Sequence, residues 1–147
     1  MSGAAPIPPA LPRVPGAYVL LIALDAPLRL AISTLPAVTL EPGRYAYCGS
    51  ARGPGGIAAR VGRHVRRGKA VRWHVDRLTE AGRVVALHLR PEGDECALFQ
   101  GLRALPGTRV PVPGFGSSDC RRCPTHLLAL PATLDLSALG QVYAITS

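Results

Sequence analysis

Lysine is almost absent from this 147-residue chain: Lys69 is the only one, beside sixteen arginines. Acid is scarce too, with nine Asp and Glu against seventeen basic residues and a formal net charge of +8. A GC-rich coding sequence favours Arg together with Ala, Gly and Pro, which explains arginine over lysine. It does not explain the excess of base over acid, and that excess suits a polyanionic partner. Long apolar runs are missing as well. The longest is Ala17–Leu24, far short of the about 20 residues a membrane helix needs. This excludes a membrane-spanning helix. The opening "MSGAAPIPPALPRVPG" carries five prolines and no apolar h-region, so it is not expected to act as a secretory signal. An extended, flexible arm is expected over 1–15, followed by a single domain over 16–147. The cytoplasm is the expected compartment, and the cysteines are accordingly expected as thiols or metal ligands rather than disulfides.

What is present reads as an α+β domain. "GAYVLLIAL" (16–24) is a strand, and "DAP" is turn chemistry. "LRLAIS" (28–33) alternates with period 2, and a third strand runs over 44–49 after a Pro-Gly turn. No helical stretch separates the three, so an antiparallel meander is expected. From Gly56 the period changes. Ile57, Val61 and Val65 recur at helical spacing, and Gly68 fits the stop. A short helix over 72–82, a strand over 83–89, a helix over 94–105 capped by Asp94, a long loop over 111–126 and a last strand in "LLALP" follow. The sum is a small antiparallel sheet with a three-stranded core, flanked by helices.

Charge concentrates over residues 52–77, where Arg52, Arg60, Arg63, Arg66, Arg67, Lys69, Arg72 and Arg77 face one acid, Asp76. Arg60, Arg63, His64 and Arg67 share one helix face. The glycine loop before this helix and the helix's own N-terminus together suit an anion such as phosphate. Arg52, Arg63, Arg66, Arg67, Lys69 and Arg72 are therefore the candidate nucleic-acid contacts. Trp73, the only tryptophan, follows as either a base-stacking ring or a core residue. Asp76 is placed to hold His74 or Arg77.

Tyr45 and Tyr47 lie two apart on the third strand and face one side. Gly16-Ala17-Tyr18, then Tyr47-Cys48-Gly49, then Arg60 with His64 one turn on, then Glu95 at a helix start, form an ordered set. This order resembles the GIY-YIG nuclease superfamily. The strings "YCGSA", "RVGRHV", "WHVDRL", "ECAL" and "GFGSSDC" with a following "HLL" resemble a small prokaryotic GIY-YIG-related family sometimes fused to a DNA-repair endonuclease. The resemblance covers roughly residues 16–130. It implies a metal-dependent endonuclease that hydrolyses DNA phosphodiesters with Mg²⁺ or Mn²⁺, and partners that include DNA and a DNA-repair protein. Carried across, Tyr18, Tyr47, Arg60 and His64 are the catalytic candidates and Glu95 the magnesium ligand. Such chemistry needs a proton acceptor for the attacking water, a tyrosinate or metal-bound hydroxide. A tyrosinate requires Arg60 and the metal to lower a pKa that is ordinarily about 10. Two departures stand out: the chain has no asparagine, where many members of the superfamily use a late one, and Gly49–Arg60 is long.

Cys120-Arg-Arg-Cys123-Pro-Thr-His126 places three soft-metal donors close together, and Cys96, His74 or His88 is available to complete a structural zinc site. The competing expectation is that the cysteines are small buried hydrophobes. Ser117, Ser118 and Asp119 are expected along a substrate groove, Asp119 as an Asx-turn residue or else a second metal ligand. Beside the nuclease stand two alternatives: a non-catalytic nucleic-acid-binding module on the same fold, and a zinc-stabilised adaptor for a repair protein.

Overall fold

A computed structural model of the chain describes residues 5–6, 11–66, 68–116, 123–134 and 136–145. In chain order the elements are β1 (Ala5–Pro6), β2 (Gly16–Leu24), β3 (Leu28–Leu30), β4 (Val38–Leu40), β5 (Gly43–Ala51), α1 (Gly56–Val65), α2 (Asp76–Ala81), β6 (Arg83–Pro91), α3 (Glu95–Arg103), β7 (Leu127–Leu130), a 3₁₀ turn (Leu136–Leu139) and β8 (Tyr143–Ala144). Among the described residues no helix is long and apolar enough to cross a membrane.

The main sheet runs β1-β8-β6-β2-β5-β7 and is antiparallel except where β1 lies parallel to β8. Its three-stranded core is β6-β2-β5. Both edges of β2 are taken by nine-residue strands, and every residue of β2 is buried. That explains its unbroken apolar sequence, since a strand covered on both faces has no side to leave polar. Tyr18, Leu20 and Ile22 point into one core layer with Ile57 and Val61 of α1, Leu78 of α2 and Leu30 and Leu40 of β3 and β4. Ala17, Val19 and Leu21 point into the other, against Cys96, Leu98, Phe99 and Leu102 of α3. Each fully buried Leu or Ile of this strand contributes about 1.5–3 kcal/mol.

The expected meander is corrected in one respect. Residues 28–33 do not return along β2. Only Leu28–Leu30 is strand, and it pairs with Val38–Leu40 in a separate two-stranded sheet. With β5 and β6 occupying both edges, β2 has no free ladder to offer. Three helices are also shorter than expected. α1 ends at Val65, where Lys69 Nζ takes the carbonyls of His64 and Arg66 at 3.3 and 2.8 Å. α2 begins only at Asp76, because the Asp76 carboxylate captures the backbone N–H groups of Arg72 and Trp73 and folds the preceding residues into a turn. α3 spans Glu95–Arg103, with Asp94 as N-cap accepting from Cys96 N at 3.4 Å.

The described part of the arm makes defined contacts. Val14 and Pro12 carbonyls accept from Ile57 N at 2.9 Å and Ala58 N at 2.8 Å, the first amides of α1. Gly56, at φ 58°, permits this approach: a Cβ there would lie 2.3 Å from the Val14 carbonyl oxygen.

Candidate active site

Tyr18, Tyr47, Arg60, His64 and Glu95 line one cleft of about 430 Å³. Each arrives from a different constraint. Leu20 pairs with Tyr47 across β2 and β5, and Tyr18 pairs with Gly49, so the two tyrosines stand on the same face of the sheet. Gly49 leaves room for the ring of its partner, since a Cβ there would sit 2.5 Å from the Tyr18 ring and hydroxyl. Helix α1 crosses this face and sets His64 Nε2 2.8 Å from the Tyr18 hydroxyl. The Tyr47 ring meets His64 edge-on at 6.2 Å and Phe115 at 6.4 Å. Glu95, the first residue of α3, enters from the far side. Tyr45, on the same face, is committed elsewhere: its hydroxyl donates to the Glu41 carbonyl at 2.6 Å.

Burial decides the protonation states. It pushes Tyr18 well above the ordinary tyrosine range, with Tyr47 adding to the rise and Arg60 only partly opposing it. Burial likewise pushes Tyr47 up to about 12. Of the two influences named for a tyrosinate, Arg60 and the metal, Arg60 alone does not lower either tyrosine, because desolvation outweighs it. His64 is driven down to about 3, first by burial, with Arg60, Arg63 and Lys69 acting in the same sense against Asp76. It is a neutral, buried imidazole and not part of a cationic helix face. Its Nδ1 is buried without a hydrogen-bond partner.

The cationic cluster divides in two. Arg63 forms a two-pronged pair with the fully buried Asp76 carboxylate at 2.7 and 2.8 Å. Lys69 pairs with Glu80 at 2.9 Å and keeps only 3 % of its side chain exposed. Both were expected to meet nucleic acid; Arg63 ties α1 to Asp76 of α2, and Lys69, bonded to the His64 and Arg66 carbonyls, ties the end of α1 to Glu80. Asp76 grips Arg63, Arg72 N and Trp73 N, not His74 or Arg77, because it is buried beneath that turn. Burial on its own would raise the Asp76 pKa, but these donors outweigh it and hold the carboxyl well below the usual range. Sequence gave no direct sign of this role, since it joins residues thirteen apart through a turn.

Arg52, Arg66 and Arg72 are exposed, while Arg67 lies outside the described residues. Arg60 points its guanidinium over Trp73 at 4.4 Å, and Arg63 does so at 4.1 Å. Trp73 itself is 36 % exposed, so it is a wall of the cleft and not core. The anion site expected at the start of α1 is also corrected, because Val14 and Pro12 carbonyls already occupy those amides.

Glu95 Oε2 is buried without a hydrogen-bond partner. Arg52 lies 3.8 Å away, but its side chain is 70 % exposed, so the pair is weak and screened. A buried carboxylate oxygen in this condition suits a cation. Magnesium accepts one carboxylate and keeps most of its waters, so the residues present fit that ion.

Behind Glu95, Cys96, Cys123 and His126 bring their donor atoms within 4.8 Å of one another, all buried. Cys120 and residues 117–119 lie outside the described residues. His74 and His88 do not join the cluster. His74 Nδ1 accepts from Gly116 N at 2.9 Å, and His88 is engaged with the Gln141 carbonyl and Arg90.

The family model described as "Domain of unknown function DUF123" matches residues 17–143, a span that includes all five cleft residues named above. No curated protein and no solved structure matches the chain.

Proposed function

This chain belongs to the DUF123 family, and we propose that it is a metal-dependent nuclease that hydrolyses phosphodiester bonds in DNA. The observation that carries the reading is the convergence of Tyr18, Tyr47, Arg60, His64 and Glu95 on one cleft, with a carboxylate oxygen of Glu95 buried and without a hydrogen bond. Glu95 is the residue to hold Mg²⁺ or Mn²⁺, and the ion when bound supplies Lewis-acid stabilisation of the phosphate oxygens.

The remaining roles follow from the protonation states. A neutral Tyr18 bonded to a neutral His64 forms a relay. The attacking water gives its proton to the Tyr18 oxygen while Tyr18 passes its own to His64 Nε2. The water oxygen bonds to phosphorus, the bond to the leaving oxygen breaks, and that oxygen takes a proton from solvent. Burial makes His64 a weak base in the resting cleft; a phosphodiester brought beside it raises its basicity by charge. Tyr47, held protonated, donates a hydrogen bond to a phosphate oxygen. Arg60, steadied against Trp73, offers its guanidinium to the charge that builds at phosphorus. Exposed Arg52, Arg66 and Arg72 carry the flanking strand. A role in DNA repair or processing fits this chemistry.

Cleavage of single-stranded, duplex and branched DNA in Mg²⁺ or Mn²⁺ tests the proposal. Wild type is expected to cut at least one of these, EDTA to stop it, and Arg60→Ala to slow it about 10²-fold. Binding of all three without cleavage of any would leave a nucleic-acid-binding module and reject the enzyme.

A further inference from the structure

We propose that Cys96, Cys123 and His126 form a second, separate metal centre that holds a zinc ion at the base of the cleft. Two thiols and an imidazole, contributed from the first turn of α3 and from the segment entering β7, are brought together within 4.8 Å and buried. The distance between Cys96 Sγ and His126 Nε2 is 3.9 Å. Around a tetrahedral zinc, with Zn–S near 2.3 Å and Zn–N near 2.0–2.1 Å, neighbouring donors lie roughly 3.5–3.8 Å apart. That pair needs a contraction of a few tenths of an ångström, and the other two, within 4.8 Å, at most about 1.3 Å.

The donor set selects the metal. Thiolates reject the hard ions that suit Glu95 and favour zinc. Two thiolates also cancel the charge of a divalent ion, so the loaded centre is neutral within an apolar layer that includes Leu98, Phe99 and Leu128. Binding replaces two thiol protons, which leave to solvent. Among the described residues three donors converge, which leaves a fourth position of the tetrahedron to be filled.

The placement gives the centre a purpose. Cys96 follows Glu95 directly, and His126 lines the same cleft as Glu95. A zinc there ties the start of α3 to the strand entering the sheet beside β5, where the His126 carbonyl accepts from Cys48 N at 2.9 Å. It thereby fixes where the Glu95 carboxylate stands. Cys96, Cys123 and His126 are positioning residues in this arrangement.

The test is metal content, not cleavage, so this centre and the nuclease proposal stand or fall separately. The full chain, expressed with added zinc and purified without chelator, is expected to carry about one zinc per molecule by mass spectrometry. The Cys96→Ser, Cys123→Ser double variant should fall below about a tenth of that, and Glu95→Gln should keep it. A measurement on wild type alone guards against a misfolded variant: Co²⁺ added to metal-stripped protein should give a thiolate-to-cobalt absorption band. Wild type that holds under a tenth of an equivalent (about the background level) and shows no such band overturns the proposal. So does full zinc content in a folded double variant.

Discussion

His64 is the residue on which most of the cleft depends. It is 2 % exposed, bonded to Tyr18, flanked by Tyr47 and Trp73, and neutral. Its folded pKa of about 3 lies below the ordinary 6.5. Between those values the unfolded chain binds a proton that the folded chain refuses, so stability must fall as pH drops from about 6.5 toward 3. His74, His88 and His126 are lowered by burial in the same direction, and Asp76 extends the loss to still lower pH. Replacing His64 by Phe should remove part of this slope. Thermal melts of both proteins between about pH 4.5 and pH 7 should show a smaller fall for His64→Phe. Equal falls would mean that His64 is not held neutral. Asp76 makes a related point. Its charge is tolerated in the core only because Arg63 and two backbone amides meet it, and removing one partner of such a buried pair costs about 3–5 kcal/mol.

At the scale of elements, the register of β2 against β5 creates the site. Tyr18 is opposite Gly49 and Leu20 opposite Tyr47, so the cleft exists only if position 49 carries no side chain. Gly49→Ala should leave the sheet folded but move the Tyr18 ring, because its Cβ would fall within 2.5 Å of that ring. The expected outcome is a loss of about 1–3 kcal/mol in stability, the range for overpacking, together with loss of the contact between Tyr18 and His64. A crystal structure of the variant with that 2.8 Å contact intact would contradict this view of the strand pair.

These strands were legible in the sequence because an unbroken apolar run over Ala17–Leu24 and an alternating tyrosine pair leave little choice of local structure. Their partners were not. Alternation in 28–30 declares a strand but says nothing about which strand it joins, and the hairpin with 38–40 emerges only once β5 and β6 have taken both edges of β2. The five cleft residues were legible as an ordered set. Their protonation was not, since burial is a property of the packed molecule: the tyrosines rise and His64 falls through desolvation that no spacing announces. The fates of Arg63 and Lys69 were hidden for the same reason. Each looked like a surface cation until Asp76 and Glu80 came within reach.

Across the whole molecule, the net charge of +8 is distributed between a structural and a presented share. The Arg63–Asp76 pair binds α1 to α2, and Lys69, bonded to the carbonyls at the end of α1, pairs with Glu80 of α2, while Arg52, Arg66 and Arg72 face outward, Arg72 lining the cleft with Arg60 and Trp73. This arrangement draws a polyanion toward the cleft, and the affinity it gives must weaken with salt. Chemistry then rests on Glu95, among the described residues the cleft carboxylate with a buried oxygen left without a hydrogen bond. The decisive measurement is single-turnover DNA cleavage in Mg²⁺ by wild type and Glu95→Gln, with DNA affinity measured alongside. A metal-holding Glu95 requires the variant to bind DNA as tightly as wild type while its cleavage rate falls by about 10²-fold or more. Equal cleavage by the two proteins would contradict the proposed role of Glu95.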